Sequence, residues 1–348
     1  MPFKMQVGIS NSLFERWPAL EGRLPFTYLG SQPTPVEPID GIGDQAGAKI
    51  WVKRDDQTSA RFGGNKVRKL EFLLAGSNRP VLTFGPLGSH HVLATAIYAH
   101  ECGRPCVGVL VPQPMTEHHT TVHRLIERHC DFTVRLEHPL SAVRDLVSFG
   151  RDAARAHFGK GVTVIWPGGS SARGTLGYVA GGLEMAGQIR RGECPLPRRI
   201  YVALGTGGTA AGLALGLALQ GLDSEVVAVR VASRATGSRP FLRILARRAL
   251  GLLCKAGLDV REPRLRLTID HRFIGSGYAR VTKESADLVE QGRKLGLPLE
   301  TTYTGKALAA LVADRRADPE GGPLMFVNTS GPINNLDTMK NRNQEKTR

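Results

Sequence analysis

The chain has 348 residues, 41% hydrophobic and 22% charged, with 46 Lys and Arg against 31 Asp and Glu for a formal charge of +15. That length suits one large or two ordinary domains, and five scattered cysteines (Cys102, Cys106, Cys130, Cys194, Cys254) with no second ligand pair at useful spacing argue against a disulfide framework or a zinc site. No apolar run reaches membrane-spanning or signal-peptide length and the basic residues form no RNA-binding signature, so the expectation is a cytoplasmic protein without a metal, a membrane or a nucleic-acid partner, whose basic surface attracts small anions.

In chain order, β-branched apolar runs predict strands over 49–54, 80–85, 106–112, 162–167, 199–205, 225–231 and 324–328. Between them, helical periodicity predicts helices over 66–75, 90–102, 117–129, 140–158, 173–191, 209–220, 239–256, 282–295 and 305–314, several closed by glycines such as Gly76, Gly103 and Gly296. The alternation reads as α/β with largely parallel sheets. The polar, basic tail at 338–348 is expected to fray.

Sheets of this kind collect ligands in the loops at their carboxyl edges. Four glycine-bearing loops sit there: Phe62 to Lys66, Phe84 to Ser89, Pro167 to Ser171 and Leu204 to Thr209. The last follows a predicted strand and opens a predicted helix, so its backbone N–H groups make an anion site to which Thr206 and Thr209 add hydroxyls. Gly205-x-Gly207-x-x-Ala210 also fits a dinucleotide fingerprint, and Arg230 at the end of the next strand suits a 2'-phosphate, which keeps an NADP-linked oxidoreductase open.

The segment Lys53-Arg54-Asp55-Asp56, followed by Gly63-Gly64-Asn65-Lys66-Val67-Arg68-Lys69-Leu70-Glu71-Phe72, says more. Lys66 starts a helix directly after a glycine turn, where the positive end of the helix dipole disfavours an ammonium and favours the neutral amine that Schiff-base chemistry needs. A solvated surface lysine is the plain alternative.

The run GGNKVRKLEF resembles the cofactor-lysine motif of 1-aminocyclopropane-1-carboxylate (ACC) deaminases and D-cysteine desulfhydrases, pyridoxal 5'-phosphate (PLP) enzymes of the tryptophan-synthase-β-like superfamily, fold type II. Gln32-Pro33-Thr34-Pro35, Gly168-Gly169-Ser170, Gly205-Thr206-Gly207-Gly208-Thr209, Tyr303-Thr304-Gly305-Lys306 and Asn328-Thr329-Ser330-Gly331 extend the likeness from about residue 20 to 335. The resemblance implies an α/β, two-domain fold, with 1–66 and 173–348 as a large PLP-binding domain and 67–172 as a small domain closing on substrate. It implies that Lys66 holds PLP as a Schiff base and later moves the α-proton, that Lys69 and the loop Gly205 to Thr209 hold the phosphate, and that Ser89, Tyr278 and Tyr303 serve catalysis. Asn65, Ser89, His90, His91, Tyr278 and Tyr303 would contact substrate, and Thr304 or Thr329 would be the neutral partner of the pyridine nitrogen. A homodimer is implied as well.

ACC deaminases place Glu where Thr304 stands, and a hydroxyl there leans toward the desulfhydrase branch and β-elimination of a small amino acid to a 2-oxo acid and ammonia. The family Asn that contacts the cofactor's phenolic oxygen is replaced by His90, and the closing His-Thr-Gly-Gly by Asn328-Thr329-Ser330-Gly331. These departures leave room for a biosynthetic enzyme performing β- or γ-replacement, or a PLP protein without turnover. His118, His119 and His123 carry no HExxH glutamate and are expected to line a polar helix face.

Overall fold

The structure is a computed structural model that describes residues 11–43, 50–136, 143–159, 161–233, 236–333 and 336. The basic tail and the first residues of the helix expected from 140 lie outside the described residues.

Two sheets organise the chain. Six strands run in the order β1 (Val36–Ile39), β2 (Ile50–Lys53), β10 (Leu324–Val327), β7 (Arg199–Leu204), β8 (Glu225–Arg230) and β9 (Leu267–Asp270). Only β1 is antiparallel. The second sheet is parallel throughout, in the order β5 (Phe132–Arg135), β4 (Cys106–Val111), β3 (Val81–Pro86) and β6 (Thr163–Ile165). It is drawn wholly from the segment expected to form the small domain.

The strand pleat sorts side chains to opposite faces, and the cores follow it. On the six-stranded sheet, Ile200, Val202, Val226, Ala228 and Met325 pack with α6 (Ala172–Arg190), α7 (Gly208–Ala218) and α8 (Arg239–Lys255). Tyr201, Val227, Val229 and Phe326 point the other way, toward α9 (Lys283–Lys294) and α10 (Thr304–Ala317). The four-stranded sheet lays Val81, Cys106 and Leu110 against α3 (His90–Glu101) and α4 (Glu117–His129), and Leu82, Phe84 and Val109 against α5 (Val143–Phe158).

All seven expected strands and nine expected helices form, with ends shifted by a few residues. Besides three short 3-10 turns, four elements among the described residues were not expected from sequence. One is α1 (Ser12–Arg16), capped by Asn11, whose Leu13 and Phe14 join the large core. The others are β1, β5 and β9, four residues each and each at a sheet edge, where one side of the ladder is unpaired and polar residues and Pro38 are tolerated.

The helix that matters most for the site is α2 (Lys66–Leu73), which lies against α6 at the closest approach glycine permits: a Cβ on Gly177 would sit 2.0 Å from the Arg68 carbonyl oxygen. Arg68 is fully buried and bridges Asp55 (2.8 Å) and Glu184 (2.9 Å), while Lys53 pairs with the same Glu184 and donates to Gln188 at 2.7 Å. Thr34, Gln32 and Tyr178 complete the network through hydrogen bonds to Asp55 or Arg68. Burial works to raise the Glu184 carboxyl, but Arg68 and then Lys53 outweigh it and hold the group below the usual carboxylate range.

Candidate active site

Loops at the carboxyl edges of both sheets and the N-termini of α2, α3, α4, α7 and α10 surround one cavity of about 400 Å³. The cavity brings together every residue the sequence singled out for the site except Gly208.

Lys66 is the first residue of α2, entered through Gly64 at φ 98°, a conformation that favours glycine. Asn65 ties this corner to the large sheet: its backbone N–H donates to the Thr329 carbonyl (3.2 Å) and its amide to Thr209 Oγ1 (3.0 Å), while its side-chain oxygen accepts from Lys66 Nζ (2.6 Å). Burial lowers the Lys66 ammonium to about 8, with the Glu300 carboxylate opposing. A half-buried amine that gives up its proton so near neutrality is an available nucleophile.

Across the cavity lies the anion loop. Gly207, at φ 92°, caps α7 and has no side chain to occupy the first-turn N–H groups. One of these, Gly208 N–H, donates to Ser170 Oγ at 3.0 Å, so Gly208 supports the loop from just outside the cavity lining. Ser170 Oγ also meets Thr206 Oγ1 at 2.6 Å, and Lys69 Nζ donates to the Gly168 carbonyl at 3.0 Å. Burial, reinforced by Lys66, holds the Lys69 ammonium well below its ordinary value, a state that an arriving anion would reverse. Backbone N–H groups at a helix start, hydroxyls and a lysine suit a phosphate monoester. An aldehyde bearing such a phosphate would then have an amine to condense with.

A family model described as pyridoxal-phosphate dependent enzyme matches residues 28–330. The chain belongs to that family. A D-cysteine desulfhydrase of Yersinia pestis (strain Pestoides F) is 32% identical over 319 residues, covering 89% of this chain and 94% of its own. A crystal structure of an ACC deaminase homologue aligns with TM-score 0.76 and 28% identity over 94% of this chain and 97% of its own. A threonine deaminase of Solanum lycopersicum, at 13% identity and TM-score 0.62 over 95% and 92%, shares the fold.

In a pyridoxal-phosphate-dependent enzyme of fold type II, a cavity that sets Lys66 opposite a phosphate-fitting loop gives the remaining walls meaning. On the large-sheet side the Tyr278 and Tyr303 hydroxyls are 2.9 Å apart, and burial raises both phenols, Tyr303 strongly. Thr304 is nearly fully buried, its hydroxyl accepting from Glu300 N–H (2.9 Å). Glu300 in turn caps α10, its carboxylate accepting from the backbone N–H groups of Thr302 (2.7 Å), Tyr303 (2.7 Å) and Thr304 (2.8 Å). Arg230, which kept a 2'-phosphate reading open, donates instead to the carbonyls of Ser233, Thr236 and Gly237 and shapes the loop beside the cavity.

The small-sheet side holds Ser89 and His90 at the start of α3, with His91 buried behind them and bonded to Thr83 Oγ1 at 3.0 Å. Sequence reasoning missed three ionisable lining residues. Glu300 carried no motif, and His118 and His119, expected on a polar helix face, turn into the cavity from the first turn of α4. Of the helical histidine set only His123 stays out of the lining, bonded to the Leu87 carbonyl at 3.2 Å.

Proposed function

We propose that this chain is a lyase that removes the α-proton of a small amino acid and expels a β-substituent, yielding a 2-oxo acid and ammonia. The observation that carries the reading is the half-buried Lys66 amine facing a phosphate-fitting loop across one cavity. Bound PLP supplies an electron sink for the carbanion left when the α-proton departs. The rest falls to the chain. Lys66 takes the α-proton, the bond from the β-carbon to the leaving group breaks with its electron pair going to the leaving group, and water then releases ammonia.

The substrate carboxylate docks at the N-terminus of α3, where Ser89 is the cap residue and its Oγ accepts from Val92 N–H at 3.3 Å. Asn65 orients Lys66, and the Tyr278–Tyr303 pair holds a proton above the reacting carbons. Of the two threonines facing the pyridine nitrogen in this reading, Thr329 serves as its neutral partner, because the Thr304 hydroxyl is engaged with Glu300. Segment 67–172 closes over the substrate. The same reading has a homodimer working in the cytoplasm, in keeping with five free cysteines. Light scattering of the purified protein tests the dimer.

The deciding experiment is an absorbance spectrum of the protein reconstituted with PLP, beside Lys66→Ala, before and after D-cysteine, ACC and a panel of small amino acids. A long-wavelength band of lysine-bound cofactor that vanishes in the variant, together with 2-oxo acid formed from at least one panel member, is expected. A band insensitive to Lys66→Ala, or no 2-oxo acid from any of them, overturns the proposal.

A further inference from the structure

His90 and His118 come from different helices, 28 positions apart, yet their Nε2 atoms lie 2.8 Å apart across the small-sheet wall of the cavity. Two imidazole nitrogens at that distance require one proton between them, one ring donating and the other accepting. Phe62 packs against the outer face of His90, with ring centroids 5.7 Å apart. Among the described residues neither imidazole pairs with a carboxylate, and no three His, Cys, Asp or Glu side chains are arranged to hold a metal ion.

Burial disfavours a second proton on either ring. Lys66 from α2 and His119 from α4 add to this at His90, whereas the Glu300 carboxylate favours a proton on His118. Among the described residues the one acid in the lining is Glu300, whose carboxylate already accepts three backbone N–H groups at the start of α10. The loop at α7 suits a phosphate and the start of α3 suits an α-carboxylate, and the imidazole pair adds a further polar position on the same lining.

We propose that His90 and His118 form a subsite for a second anionic group, a side-chain carboxylate, so that the substrate is an amino acid with an acidic side chain. This rests on the lyase reading above. When a carboxylate enters, the pair takes up one proton and both rings donate to it, an arrangement that a neutral side chain would not stabilise. His118 is then a specificity-determining residue that no motif announced.

The test compares succinate with its monoamide, succinamate, by isothermal titration calorimetry on PLP-loaded protein in two buffers of different ionisation heat. Succinate is expected to bind roughly tenfold tighter or more, with uptake of about one proton. His118→Ala should erase both effects while leaving succinamate affinity and the lysine-bound cofactor band in place. His118→Asn, which keeps a polar side chain, should also lose proton uptake. Equal affinity for the two probes, no binding of either, absence of proton uptake, or discrimination that survives in His118→Ala overturns the inference. Failure of the lyase reading looks different: Lys66 then carries no cofactor, yet discrimination between the probes that depends on His118 persists in the unloaded protein.

Discussion

Taking a lysine out of water at the start of a helix makes it a base and nucleophile at ordinary pH, and Lys66 shows the effect in a measurable form. With its ammonium lowered to about 8, the neutral amine fraction rises through that pH. The rate of PLP capture by cofactor-free protein, followed by absorbance, should therefore climb between about pH 7 and 9 and level off above. A climb centred near the ordinary lysine value would show that burial does not govern this amine. The tyrosine pair makes a second prediction. Tyr303→Phe removes one hydroxyl from a 2.9 Å contact inside the cavity, so kcat should fall by roughly 10²-fold with KM little changed, read by steady-state kinetics on the best panel substrate. A change confined to KM would assign the phenol to binding alone.

Helix α2 depends on charges buried beneath it. Arg68→Leu leaves Asp55 and Glu184 without their shared guanidinium, and loss of one partner of such a pair costs about 3–5 kcal/mol, measurable by urea unfolding. Because the Glu184 carboxyl is held below its unfolded value, this contribution is complete above the unfolded pKa of about 4.3 and drains away as pH falls below it. The difference in stability between wild type and Arg68→Leu should shrink in that acid window. The start of α7 is constrained differently. Gly207 sits at φ 92° and a Cβ there would meet Leu242 Cδ2 at 2.4 Å, so Gly207→Ala should cost about 1–3 kcal/mol and weaken PLP retention on dialysis. The strands that escaped sequence reading share a cause: β1, β5 and β9 are sheet edges of four residues, too few positions for a period to show.

At the scale of the whole molecule, two sheets place their carboxyl edges around one cavity, with Lys66 entering where α2 joins them. Its Val67 and Leu70 pack into the small-sheet core and Phe72 into the large. Closure of segment 67–172, if it accompanies binding, should reduce the radius of gyration when PLP-loaded protein is saturated with an unreactive amino-acid analogue. Small-angle X-ray scattering measures this, and an unchanged radius would remove closure from the proposal.

The order of strands and helices, the place of Lys66 at a helix start and the glycine loop before α7 were determined by the sequence itself, because each depends on neighbours within a few residues: alternating apolar patterns, glycine turns, a helix start. The pairing of His90 with His118, the capture of Thr304 by Glu300, and the use of Arg230 on its own loop were decided only by the tertiary structure. The face that a histidine on α4 presents to a cavity depends on how α4 packs beside α3 on a parallel sheet. Helical periodicity marked it as polar, and packing turned it toward the cavity.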